Sequence, residues 1–253
     1  ADSHPLHLVS AFAAGLGVVL GQKATEEKSN EITAIPELLK TLALRGTIVT
    51  IDAMGTQTKI AETIRKAEAD YVLCVKDNHP NLLDSIMFAG LGPEGALQPC
   101  STDEVTATKP NHGRLEVRRC WAYDAVDRLY KHEQWKDIRS FAIIERERTQ
   151  DGRTSIERAY YISSLPADAA RLARAVRSHW EVENRLHWCL DVQLADDQSR
   201  TRSGFAANNL AIVRHIVMNL LRLNTTSKVG IKNKRLMASA SDEFRAEVLG
   251  LMT

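Results

Sequence analysis

A chain of 253 residues with 44% hydrophobic and 26% charged side chains can bury a full core, and its composition is that of an ordinary globular protein. Its 33 basic and 32 acidic residues leave a formal net charge of +1. That excludes a global basic field, so any attraction for nucleic acid must come from local patches. The four cysteines, Cys74, Cys100, Cys120 and Cys189, form neither a C-x-x-C pair nor a metal-ligand spacing and read as reduced residues of a cytoplasmic protein.

The apolar run at 8–21 falls short of the roughly 20 residues that span a bilayer. No basic residue precedes it, and Gly15 and Gly17 interrupt it, so it predicts an antiparallel hairpin of residues 6–14 and 16–22 rather than a signal segment or membrane span. Residues 32–44 fit a helix ended near Gly46. TIVTID at 47–52 is a β-branched run that predicts a buried strand. An amphipathic helix at 56–69 and a second buried strand at 70–76 complete a βαβ unit, which makes those two strands parallel neighbours. A short helix follows at 79–90. Between 97 and 163 the chain changes to short alternating segments with breaks at Asn111–Gly113 and Gln150–Gly152. These predict an antiparallel β insertion, expected to pack beside the mixed sheet rather than within it. A long helix is expected over 167–190, opened by Pro166 and Asp168, then an apolar helix at 208–223 and a tail that is basic first and helical at its end.

Two acids stand out. At 100° per residue, Glu183 lies at the centre of a stripe formed by Leu172, Val176, His179, Trp180, Leu186, His187 and Leu190. An acid placed there needs a partner, because burying it unpaired costs several kcal/mol. That partner can be an Arg or His in a structural pair, or a metal ion. Asp52 ends the IVTI run at the carboxyl end of a parallel strand, the edge where sites in α/β sheets gather; a helix-capping role is the plainer reading. Lys76 ends the neighbouring strand on the same edge, placed for a phosphate or simply solvated. His179, Glu183 and His187 at i, i+4 and i+8 lack the metalloprotease pattern, and there is no Gly-rich phosphate loop or Gly-x-Ser-x-Gly elbow.

The strings NEITAIPELL, GTIVTIDAMGTQTKIAETI, ADYVLCVKDNHPNL, RRCW, YYISSLPADAARLARAVRSHWEVENRLHWCLDV and NNLAIVRHIVMNLL, in this order over nearly the whole chain, resemble the DDE insertion-sequence transposases that include the H-repeat-associated proteins. The resemblance implies a ribonuclease H-like α/β fold, a mixed sheet flanked by helices with an antiparallel β insertion before the catalytic helix. Three acids would hold two Mg²⁺ or Mn²⁺ ions for in-line attack on a phosphodiester. The second acid of that pattern is Asp52 and the third is Glu183. The first belongs to a strand upstream of LHLVSAF, and Asp2 does not match it. As written, the chain is therefore expected to bind Mg²⁺ weakly and to cut and join DNA barely or not at all until that strand is restored. Val176, His179 and Leu190 stand where broader relatives carry Tyr, Arg and Lys, so contacts of those residues do not carry over.

The resemblance divides the chain into a first core part at 1–96, a β-rich insertion at 97–163, a second core part with the catalytic helix at 164–224, and a tail at 225–253. Its partners would be transposon-end and target DNA, with a homodimer on DNA as a candidate assembly and no membrane. Candidate phosphate contacts are Lys76, Arg200, Arg202, Lys228, Lys232, Lys234 and Arg235, against the alternative of a solvated basic face. Glu31, Asp191, Asp196 and Asp197 read as surface or supporting acids. A different class of function stays open: an inactive remnant of a mobile element that keeps only DNA or partner binding.

Overall fold

A computed structural model describes residues 7–25, 31–91, 97–109, 114–201 and 205–251. Leu6 of the expected hairpin, Asp2 and Arg202 lie outside the described residues. The chain divides into two compact units, Ala43–His179 and Ala1–Leu42 with Trp180–Thr253.

In the continuous unit, strand β3 (Ile48–Ile51) runs parallel to β4 (Asp70–Val75), with Ile48 opposite Asp70 and Ile51 opposite Leu73. Helix α2 (Thr58–Lys66) makes the crossover, as the β-helix-β pattern requires, and its Ile60, Ala61 and Ile64 are fully buried. Tyr71 through Val75 of β4 are all buried, the mark of a central strand covered on both faces. Four long antiparallel strands extend the sheet: β5 (Ser101–Lys109), β6 (Arg114–Tyr123), β7 (Ser140–Gln150) and β8 (Arg153–Ser163).

The sheet order is β3-β4-β8-β7-β6-β5, which corrects the expectation that residues 97–163 pack beside the sheet. The end of β8 pairs with β4, from Val72 opposite Ser163 to Val75 opposite Tyr160. Those bonds satisfy the backbone groups that β4 would otherwise leave unpaired at a sheet edge. The change of sequence character near residue 97 reflects exposure instead. β8 is exposed from Arg153 to Arg158 and buried from Tyr161 to Ser163, so the long strands keep one end in the core and project from it.

Helix α4 (Ala169–His179) covers one face of this sheet, packing Leu172 and Val176 with Val72, Cys120, Ala122 and Ala142. Helix α3 (Pro80–Leu91) approaches the other face, where alternation places Ile143. A Cβ on Gly90 would collide with Ile143 Cδ1.

In the second unit, β1 (His7–Ala13) and β2 (Val18–Thr25) form the expected antiparallel hairpin, closed at Gly17 with φ +73°. The unit also holds α1 (Glu31–Lys40), α5 (Trp188–Leu194), α6 (Ala206–Leu223), α7 (Ile231–Ala240) and α8 (Asp242–Val248). Val19, Leu186, Cys189, Leu190 and Met218 form its core. Asn219 of α6 clamps β2 by accepting from Val19 N at 2.8 Å and donating to Val19 O at 2.7 Å. The single helix expected over 167–190 is not continuous: α4 ends at His179, and Val182–His187 form a π-helical turn before α5. Among the described residues no helix is long and apolar enough to cross a membrane.

Candidate active site

Asp52 sits where the sequence places it, directly after β3 on the carboxyl edge of a parallel pair. Its Oδ1 accepts from Ala53 N at 2.7 Å and caps the one-turn 3₁₀ helix Ala53–Gly55. The capping role is therefore present, but it occupies one oxygen only. Lys76 Nζ, at the end of β4, donates to the same Oδ1 at 3.2 Å, so the two strand ends meet as expected. Both side chains remain exposed, at 64% for Asp52 and 60% for Lys76. Oδ2 has no partner among the described residues. Partial burial pushes the Asp52 carboxyl up. The Ala53 amide, Lys76 and His179 outweigh it and hold the group below the usual carboxylate range. The hydrogen bond to Asp52 in turn raises the Lys76 ammonium.

The loop that carries Asp52 is fixed from three sides. Buried Thr56 donates through Oγ1 to Cys74 O at 2.6 Å, Asn78 Nδ2 donates to Ala53 O at 2.6 Å, and His79 Nε2–H donates to Thr56 O at 2.6 Å. His179, in the last turn of α4, meets Thr50 Oγ1 through Nδ1 at 3.1 Å. Thr56, Asn78 and His79 were missed by sequence reasoning. Their signal was the turn-rich GTQ and KDNHP segments flanking the two strands. The result is a firmly held, ionised carboxylate with one oxygen uncommitted among the described residues, which suits a hard divalent cation or a phosphate-bound one.

Glu183 departs from its expectation. It lies in the second unit, within the π-helical turn, and is exposed rather than central to an apolar stripe. A π turn holds more residues than an α turn, so the 100° progression fails across it. Leu186, Cys189 and Leu190 carry the buried face, while His187 and Trp188 point to solvent. The structural pair offered for a buried Glu183 is thus unnecessary. Next to it, Arg185 donates through Nη1 to Glu181 at 2.7 Å and to Ala14 O at 2.9 Å. Asp191 is raised by burial and by the charges of Asp197 and Asp196, and Asp196 pairs with Arg214 at 2.5 Å. Asp197 is exposed, and Glu31 opens α1. Asp52 and Glu183 belong to different units. No group of three or more His, Cys, Asp and Glu able to hold a metal ion occurs among the described residues.

The basic candidates separate. Arg200, Lys228, Lys232 and Arg235 are exposed, Arg235 bonding to Gln193 O. Lys234 is not: it is 7% exposed, and its Nζ donates to Leu221 O at 3.1 Å and Asn224 O at 2.5 Å. It caps the carboxyl end of α6, so it is removed from the phosphate-contact set.

Comparison with known proteins gives a consistent result. The family model described as Transposase DDE domain matches residues 2–220. Protein YbfL of Escherichia coli K12 is 38% identical over 251 residues. YhhI of the same strain, whose name assigns it as an H repeat-associated transposase, is also 38% identical over 251 residues. YncI of Escherichia coli O157:H7, likewise named as a transposase, is 39% identical over 248 residues. Each alignment covers 96% of this chain, and the chain spans 63–65% of the length of these curated relatives.

Proposed function

Because the chain belongs to the Transposase DDE domain family, we propose that it is the catalytic portion of a transposase with a ribonuclease H-like core, which cleaves and joins the DNA of an insertion sequence with Mg²⁺ or Mn²⁺. The observation that carries this reading is Asp52. It is an exposed, ionised carboxylate held at the carboxyl edge of a parallel strand pair, with Lys76 beside it and one oxygen without a partner among the described residues. Asp52 and Glu183 would be ligands of the divalent ions. Bound there, the ions would activate the attacking oxygen and stabilise the leaving one. The chain's own groups do the rest. The Thr56, Asn78 and His79 bonds hold Asp52 in place, and Lys76 balances its charge and is placed to meet a phosphate. The division at 97, 164 and 225 belongs to this reading, with β5–β8 as the insertion and the exposed Arg200, Lys228, Lys232 and Arg235 as DNA contacts.

The test is strand transfer by the full-length protein on matched element ends in Mg²⁺ and in Mn²⁺, with Asp52→Asn and Glu183→Gln variants. Each variant should lose at least about 100-fold in rate, the scale of removing one preorganised charge-stabilising group, while melting like the parent. Undiminished transfer by either variant removes that residue from the mechanism. DNA binding without transfer, even by the parent, would favour an inactive remnant.

A further inference from the structure

The face of the six-stranded sheet that lies under α4 at Cys120, Ala122 and Ala142 continues outward beyond that helix. Alternation along the strands puts Glu116 and Arg118 of β6, Arg146 and Arg148 of β7, and Ser155 and Glu157 of β8 on that same face. Register makes Arg118 the direct partner of Arg146, and Glu116 the partner of Arg148. Glu157 then stands opposite Arg146, and Ser155 opposite Arg148. Two guanidinium groups facing each other across an antiparallel pair destabilise it. Glu116 binds Arg118 and Glu157 binds Arg146, but Arg148 Nε is buried with no hydrogen-bond partner among the described residues. Arg177, exposed in the last turn of α4, adds a further cation. Burial lowers the Arg118 guanidinium, and the charges of Arg177 and Arg146 push the same way against Glu116.

The opposite face of the same strands is built differently. There Arg119 reaches Glu104 at 2.9 Å, Glu145 at 3.1 Å and Glu147 at 2.8 Å, and Arg158 reaches Glu145 at 2.8 Å. The second face carries acid in excess, whereas on the first, among the described residues, Arg118, Arg146, Arg148 and Arg177 lie close to Glu116 and Glu157.

We propose that the outer face formed by Arg118, Arg146, Arg148 and Arg177 binds the phosphodiester backbone of DNA, an inference that rests on the transposase reading above. Guanidinium forks match phosphate oxygens in pairs. Cations on neighbouring strands stand roughly 5 Å apart, and those two residues along a strand roughly 7 Å apart. Such a spread engages successive charges of a polymer better than one small anion. A chain of phosphates would add negative charge between the facing arginines and offer acceptors to the Arg148 guanidinium.

The experiment is a salt titration of duplex DNA binding by the whole chain, read by fluorescence anisotropy from about 50 to 200 mM salt. Arg146→Gln with Arg148→Gln should flatten the log–log slope by about 1.8, near 0.9 for each phosphate no longer neutralised. Arg146→Lys with Arg148→Lys should keep the slope, and Glu157→Gln should tighten binding. If the double Gln variant melts early, Arg177→Gln serves instead, with an expected reduction of about 0.9. A folded variant with the parental slope overturns the proposal and leaves the transposase reading standing. Failure of the parent to bind DNA overturns both. Loss of polyglutamate binding with an unchanged DNA slope assigns the face to an acidic protein and overturns the DNA proposal.

Discussion

Lys232 and Lys234 lie two residues apart in one basic segment, yet their replacement should have opposite consequences. Lys234→Met keeps most of the buried stem and removes the ammonium that Leu221 O and Asn224 O accept from. The last carbonyls of a helix have no partner within it, and a buried group left without one costs about 1–3 kcal/mol. Loss of a cation at the negative end of the α6 dipole adds about 0.3–1 kcal/mol. Together these give about 1–4 kcal/mol. At about 2–4 °C per kcal/mol for a chain of this size, the melting point should fall by roughly 3–16 °C. Lys232 is exposed, and Lys232→Gln should cost no more than about 0.5 kcal/mol while flattening the salt slope of DNA binding by about 0.9. Circular-dichroism melts and anisotropy titrations of both variants decide the matter. A Lys234→Met protein that melts with the parent, or that flattens the salt slope as Lys232→Gln does, would refute the capping role.

Two further outcomes are expected. The Asp52 carboxyl is held below its unfolded-state value, so its contribution to stability is present above the unfolded value, near 3.9, and is lost as pH falls through the folded one. Lys76→Met should move the Asp52 titration upward toward the ordinary range and soften the acid limb of stability; an unmoved carboxyl signal in an NMR titration would show that the pair does not form. Gly17→Ala should cost about 1–3 kcal/mol, because φ is +73° there and the new Cβ would run into Arg185 Nη2. A urea midpoint equal to the parent's would contradict the close approach of Arg185 to the hairpin turn.

Local chemistry made much of this protein legible. The β-branched IVTI run, its following helix and the apolar DYVLCV run read directly as a parallel pair, and that alone placed Asp52 and Lys76 on one edge. The partner of β4 on its other side was not legible. That pairing joins Val72 to Ser163, and alternation in β8 says which face each residue takes but not which strand it meets. Glu183 was misread for a different reason. A helical-wheel argument assumes a constant turn, and the π turn at Val182–His187 breaks that assumption where the acid lies. Lys234 looked like its basic neighbours because composition cannot tell a solvated ammonium from one that a helix end has captured.

The discontinuity of the second unit bears on the order in which the chain is made. The segment up to Leu42 shares its unit with residues that begin at Trp180, and the clamp on Val19 comes from Asn219. During translation the whole of 43–179 emerges in between, and at about 5–20 residues per second that interval is on the order of ten seconds. The continuous unit can close its sheet within that time, whereas Val19 of the β1–β2 hairpin waits on the ribosome without the Leu186, Cys189 and Met218 side chains that bury it. Slowing elongation between residues 43 and 179 should therefore lengthen the exposure of the hairpin to chaperones and proteases, while slowing it after α6 should not.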